Sequence, residues 1–419
     1  MPSISPFAAI RPREDLAARI AALPYDVYNR REAAEEIAKE PLSFLRVDRA
    51  ETAFPDDINT YDDQVYLKAK ELLDEMMADG TYITEDRACY YIYELTMGPH
   101  VQAGLVACSS IADYQANIIK QHEQTRPEKL HDRLNHIDVT NAHTGLIFMS
   151  YRSLPSVNLI IARQQLQAPL YDFIAADGVR HRVWIINDQN DIHELNTALA
   201  TIPATYIADG HHRTASAVGV GLRRRAENPH HTGQEGYNRF LSVLFPDDQL
   251  QIMSYNRIIA DLNGYSHDDF LAAVENHGFL VKRIGEKAVS PRKKGEFGMY
   301  LRGVWYQLTA QAQIISSDPV TGLDVALLQE HLLNPILGID DARVNGRIEF
   351  VGGIRGLTIL EEKTAAKDSL PDDMAVAFSL HPTSMEELLR VADAGFLMPP
   401  KSTWFEPKLR SGLFIHSLD

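Results

Sequence analysis

The chain has 419 residues, 45% of them hydrophobic, and a formal net charge of −16. That length and apolar content suffice for a large core and for two or three domains, or one elaborated one. The acidic balance argues against a sequence-independent DNA or RNA binder, which needs a basic face to displace counterions, yet leaves room for a local basic pocket that takes small anions.

In chain order the pattern is mixed α and β, with no internal repeat. An amphipathic run over 15–22 is broken by Pro24-Tyr25-Asp26-Val27-Tyr28, which reads as a turn. Helices are predicted over 31–39, stopped by Pro41, and over 57–77, where Val65, Leu72, Leu73 and Met76 recur at helical spacing before Gly80. Residues 88–97 and 101–109 flank Gly98-Pro99-His100 and predict an antiparallel hairpin with Tyr90, Ile92 and Val106 facing the core. Helical character returns over 126–142 and 191–199, with strands over 145–151 and 181–186. After a β-like run at 204–208 come strands over 240–245 and 252–258. The rhythm restarts near residue 266 with a helix to 276, a strand over 279–282, a hairpin over 295–308 and a helix over 323–333. A strand over 372–380 precedes a helix over 384–394 with Ser384 as N-cap and Glu387 three residues on. The expected fold class is α+β with mixed sheets, in two regions, 1–265 and 266–419.

Cys89 and Cys108 lack metal-ligand spacing, which fits a reducing compartment. The N-terminus has no basic stretch followed by an apolar core, and no segment approaches the roughly 18 apolar residues of a membrane span. The expectation is a soluble, cytoplasmic protein without a membrane or nucleic-acid partner; homo-oligomerisation is left open.

Three polar clusters carry the chemistry. In Asp209-Gly210-His211-His212-Arg213, a strand stops at Asp-Gly and turns into a small-residue helix. Such a turn gathers unpaired amides, two imidazoles and a guanidinium fork, a set suited to phosphate or carboxylate. The second cluster runs from Lys120 through His122, Glu123 and Arg126 to Lys129 and Arg133. It suits general-base work or a magnesium ion, and equally an exposed, charged helix entrance. The third, 398–408, sets Lys401, Ser402 and Thr403 between paired prolines and the aromatic pair Trp404-Phe405. It reads either as a loop closing over a phosphorylated ligand or as a packed tail. Gly352-Gly353-Ile354-Arg355-Gly356 lacks the lysine and hydroxyl of a P-loop and reads as a hairpin turn. No Gly-x-Ser-x-Gly elbow is present, and no set of residues has the spacing of a fixed transition-metal site.

Taken together, Ile4-Ser5-Pro6-Phe7, Pro24-Tyr25-Asp26-Val27, Pro41-Leu42-Ser43-Phe44-Leu45-Arg46-Val47, His122-Glu123-Gln124-Thr125, the Asp209–Arg213 turn and Pro400-Lys401-Ser402-Thr403-Trp404-Phe405 resemble, in that order, the domain of unknown function 1015 family. The resemblance implies kinship with free-serine kinases, which use a nucleotide to make O-phosphoserine. It also implies a ParB/sulfiredoxin-like core that binds nucleotide at a Gly-x-x-Arg turn, here Gly210 to Arg213. His211 stands where sulfiredoxin has cysteine, so sulfinic acid repair is not expected at that position.

On this basis Gly210, His211, His212, Arg213, Arg126, Lys401 and Thr403 are expected to hold ATP or ADP, with Mg2+. Glu123, Asp209 and His122 are expected to act on the acceptor hydroxyl, with Asp26 behind them. The alternative for Asp209 is a structural role at the turn. A nucleotide-gated regulator and a phosphate-ester hydrolase remain rival functions, because each needs the same turn and cations.

Overall fold

Tyr90–Met97 and His100–Ser110 pair antiparallel across the turn at Gly98-Pro99, with Tyr91 opposite Val106. The aromatic and β-branched run of the first strand suits a pleated surface. It is continuous instead of alternating because both of its faces are covered. On one side Tyr90, Ile92, Leu105 and Ala107 join a core completed by helical residues such as Ile160, Leu195 and Val220. On the other, Tyr91 and Tyr93 pack on Phe414, and Phe7 on Tyr91.

The computed structural model describes residues 1–124, 127–367 and 375–419. The chain divides into two compact units. The first takes in residues 1–121, the described part of 125–250, and 407–419; the second takes in 122–124 and 251–406.

Among the described residues of the first unit, the hairpin belongs to a mixed sheet. Its order is Ile119–Lys120, Thr205–Asp209, Ile147–Tyr151, Arg239–Pro246, His100–Ser110, Tyr90–Met97, Arg180–Ile186, Tyr171–Ile174, with Ile4–Ser5 added on His100–Ser110. Ile147–Tyr151 runs parallel to Arg239–Pro246 and antiparallel to Thr205–Asp209. Helices Pro127–Thr140 and His211–Glu227 pack on each other, and Asp63–Ala78 packs on the former. A smaller core gathers Ile20, Phe44, Val47, Leu72 and Leu73 from the N-terminal helical region and Tyr82 from the strand after it, with Ile415 from the chain's end. The last residues are held as part of this unit. Ser411 bridges Ala22, Ile415 bridges Ile10, and His416–Ser417 pairs with Ala142–His143.

The second unit carries a six-stranded antiparallel sheet among its described residues. The order is Phe279–Gly285, Val304–Ala310, Glu296–Leu301, Val376–Leu380, Tyr255–Ile259, Ile348–Gly352. The expected strand over 252–258 is broken at Ser254 into Gln251–Met253 and Tyr255–Ile259, each with a different partner. The predicted turn at Gly352-Gly353 is not a hairpin. The strand ends at Gly352, and a helical turn at Gly353–Arg355 leads to the helix Thr358–Lys367. The glycine serves close approach: a Cβ on Gly352 would lie 2.6 Å from the Trp404 indole. The capping box of Ser384 and Glu387 forms as predicted.

Candidate active site

The turn that joins strand Thr205–Asp209 to helix His211–Glu227 depends on Gly210, whose φ of +96° lies in the left-handed region. A side chain there would be strained and would also meet Arg213, since a Cβ would sit 3.2 Å from its Nε. The Arg213 side chain folds back over Gly210, and its Nη1 donates to the carbonyl of Leu146 at 2.6 Å. A Cβ on Gly145 would stand 3.6 Å from the same nitrogen. Two residues without side chains therefore make the slot in which the guanidinium lies. His211 is buried and His212 half-buried on the first turn of the helix.

Asp209 ends the strand, and its Oδ2 lies 3.0 Å from the ammonium of Lys408. Burial alone would raise this carboxyl, but Lys408 and Arg213 outweigh it and hold it well below the usual carboxylate range. Asp209 is therefore a fixed anion and a weak proton acceptor.

Beneath Arg213 lies a small chamber of about 30 Å³, walled also by Thr144, Gly145, His143 and Ser411. It shares Tyr25, Asp48, Arg133 and His136 with a larger chamber of about 290 Å³. Asp48 is 5% exposed and accepts from Thr144 Oγ1 at 3.3 Å and from Ser411. Burial raises its carboxyl despite the nearby guanidinium groups of Arg133 and Arg213. Arg133 stacks its guanidinium 4.1 Å over the Tyr25 ring and pairs with Asp132 at 2.8 Å. Asp132 in turn accepts from the Tyr66 hydroxyl at 3.1 Å. Burial pushes the Tyr25 hydroxyl up to about 12, and burial beside Arg133 pushes the His136 imidazole down, keeping it neutral.

The two chambers differ in charge. The larger is lined by Asp26, Asp48, Glu51 and Asp132 against Arg49 and Arg133. The smaller has Arg133 and Arg213 against Asp48. Anions therefore favour the smaller chamber.

His122, Glu123, Lys401 and Thr403 belong to the second unit. The carbonyl of buried His122 accepts from Met398 N at 2.8 Å, and Glu123 follows it, half-buried. Lys401 adopts φ +58° and holds its Nζ 5.5 Å from the centre of the Tyr255 ring, while its carbonyl accepts from Arg257. Thr403 is half-buried just before the strand Trp404–Glu406. Arg126 lies outside the described residues. Sequence reasoning missed Asp48, Thr144 and Ser411. Asp48 follows Phe44-Leu45-Arg46-Val47, in which Phe44, Leu45 and Val47 are apolar, and an acid next to them is the one local sign of a buried carboxylate.

A family model described as "Protein of unknown function (DUF1015)" matches residues 4–326. The chain belongs to that family. Solved structures similar to this DUF1015 chain include a conserved hypothetical protein from Pyrococcus furiosus. It shows 15% identity and a TM-score of 0.35, and the match covers 75% of this chain and 95% of that one. A free serine kinase variant in complex with ADP shows 12% identity and a TM-score of 0.36, covering 74% and 92%. SbnI with a C-terminal truncation, from Staphylococcus aureus, shows 10% identity and a TM-score of 0.38, covering 74% and 87%. No curated protein matches the chain. No helix among the described residues is long and apolar enough to cross a membrane.

Proposed function

We propose that this protein is a nucleotide-dependent phosphotransferase that moves a phosphoryl group onto the hydroxyl of a small acceptor such as free serine. The observation that carries the reading is the Arg213 guanidinium. It is slotted between Gly210 and Gly145 at a helix N-terminus and faces a chamber whose charge favours anions. Phosphoryl transfer asks a protein mainly for positioning and neutralisation of charge. In this account the first amides of the helix and Arg213 hold the nucleotide phosphates, and His211 and His212 flank them. A ParB/sulfiredoxin-like reading of the core belongs with this proposal.

In the transfer step the acceptor oxygen forms a bond to the terminal phosphorus. The bridging P–O bond breaks with its electron pair leaving on the shortened nucleotide, and the hydroxyl proton passes to a carboxylate. Asp209, held ionised by Lys408, orients the turn and is a poor choice for that proton.

Among the described residues no group of three or more His, Cys, Asp or Glu is arranged to hold a metal ion. In the larger chamber Glu51 is taken by Arg49 at 2.6 Å and Asp132 by Arg133. The described side chains form no ready cage for magnesium. Such an ion would come with the nucleotide, whose phosphates and water usually supply most of its ligands.

The test is to incubate the purified protein with ATP or ADP, magnesium and a panel of hydroxyl amino acids, and to read products by mass spectrometry. A phosphorylated hydroxyl acid formed only with nucleotide supports the proposal. Binding of nucleotide without product favours a regulator, and consumption of a phosphate ester without nucleotide favours a hydrolase; either overturns it.

A further inference from the structure

We propose that the larger chamber of the first unit receives the nucleoside end of the nucleotide, with its base among tyrosines and its sugar hydroxyls on Asp26. This inference rests on the phosphate reading of Arg213 and adds to it where the uncharged part of the donor goes.

Adjacency comes first. The chamber shares Tyr25, Asp48, Arg133 and His136 with the one beneath Arg213, so it stands directly beside a phosphate held at Arg213. Charge is the second. With an excess of carboxylates over guanidinium groups on its wall, the larger chamber disfavours phosphate and favours hydroxyl and amino donors. Arg133, at the shared wall, marks the crossing from phosphate to sugar.

The surface offered comes third. Tyr25, Tyr28, Tyr61 and Tyr66 all line this chamber. Aromatic faces stack on nucleobases with little regard to sequence. Two of the four are fixed in place, Tyr25 under the Arg133 guanidinium and Tyr66 by its bond to Asp132. Tyr61 is 60% exposed at the rim, where its ring can turn onto a bound base. Asp26 is also exposed at the mouth, and an ionised carboxylate accepts from two vicinal hydroxyls at once.

Size is the fourth. The volume of about 290 Å³ lies just under the roughly 300–1,000 Å³ of ligand pockets, a size for a nucleoside of about nineteen non-hydrogen atoms and not for a larger ligand. Free serine, with about seven such atoms, would leave most of that volume to water.

The test compares binding of ADP, 2′,3′-dideoxy-ADP and inorganic pyrophosphate by calorimetry in the full-length chain. In Tyr61→Ala the affinity for ADP should fall about tenfold while that for pyrophosphate stays unchanged. In Asp26→Ala the preference for ADP over the dideoxy analogue should disappear. Both side chains are exposed, so the unfolding midpoint should hold, and that is measured alongside. If ADP binds and is lost with Arg213→Ala, but neither chamber variant changes it, the nucleoside assignment falls and the phosphate reading stands. If the chamber variants change only the KM of a hydroxyl acceptor, the chamber belongs to the acceptor and the inference is overturned. If the wild-type protein binds neither ADP nor pyrophosphate, the phosphate reading falls first and takes the inference with it.

Discussion

The ammonium of Lys408 reaches across 199 residues of sequence to stand 3.0 Å from Oδ2 of Asp209, tying the C-terminal segment of the first unit to the strand end that opens the Arg213 turn. Lys408 and Asp209 are partly exposed, with side-chain exposures of 20% and 39%. Their attraction is therefore screened and worth about 1 kcal/mol or less. Asp209→Asn should lower the unfolding free energy by no more than that in urea titrations. Because an anion beside Arg213 opposes phosphate, the same variant should bind ADP at least as tightly as wild type in titration calorimetry.

Gly210 is the least replaceable residue of the turn. Gly210→Ala places a Cβ at φ +96° and within 3.2 Å of Arg213 Nε. The backbone strain alone costs about 1–2 kcal/mol, and the guanidinium must leave its slot. The variant should fold with a lowered midpoint in thermal melts and bind ADP at least tenfold more weakly than wild type.

Asp48 is held by two hydroxyls inside the shared wall of the chambers. Asp48→Ala leaves Thr144 and Ser411 without their common acceptor and should cost about 1–3 kcal/mol of stability. Asp48→Asn keeps an oxygen for both hydroxyls and should recover most of that loss. Equal losses in the two variants, measured by urea unfolding, would show that the carboxylate charge beside Arg133 and Arg213, and not the bonds from the hydroxyls, sets the effect.

His143 and His416 stack with ring centres 5.9 Å apart on paired strands. Burial pushes both imidazoles down, His143 to about 3 with His416 adding to the effect, and His416 to about 4. A histidine that resists protonation only when folded gives a stability that is full above its unfolded value near 6.5 and is lost as pH falls. Each should remove about 1.4 kcal/mol per pH unit between roughly pH 6 and pH 4. Urea unfolding over that window should show their combined slope together with that of the similarly buried His136 and His181, and His416→Phe should shallow it. An unchanged slope would place the acid sensitivity elsewhere.

The features legible in the sequence are those with local causes. The hairpin about Gly98-Pro99, the Ser384–Glu387 capping box and the strand–turn–helix at Gly210 each depend on residues within a few positions. The helix predicted from residue 57 starts instead at Asp63, where Asp62 caps it by accepting from Gln64 N. The helix predicted over 323–333 keeps its α form only over Asp324–Leu328, and Gln329–Leu333 continues with wider π turns. The site itself is less legible, because its chemistry is made by distant contacts. Asp48 meets Thr144 and Ser411 only through folding, and nothing near it in sequence marks that meeting. The cluster over 398–408 reads as one loop, yet Lys401 belongs to the second unit and Lys408 to the first.

The most direct test of the central claim, that the Arg213 turn receives nucleotide phosphate, is the affinity for ADP of wild type and Arg213→Ala measured by titration calorimetry. Loss of charge-assisted hydrogen bonds to an anion should weaken binding at least about tenfold while the chain stays folded. A folded Arg213→Ala variant that binds ADP as tightly as wild type would contradict the account.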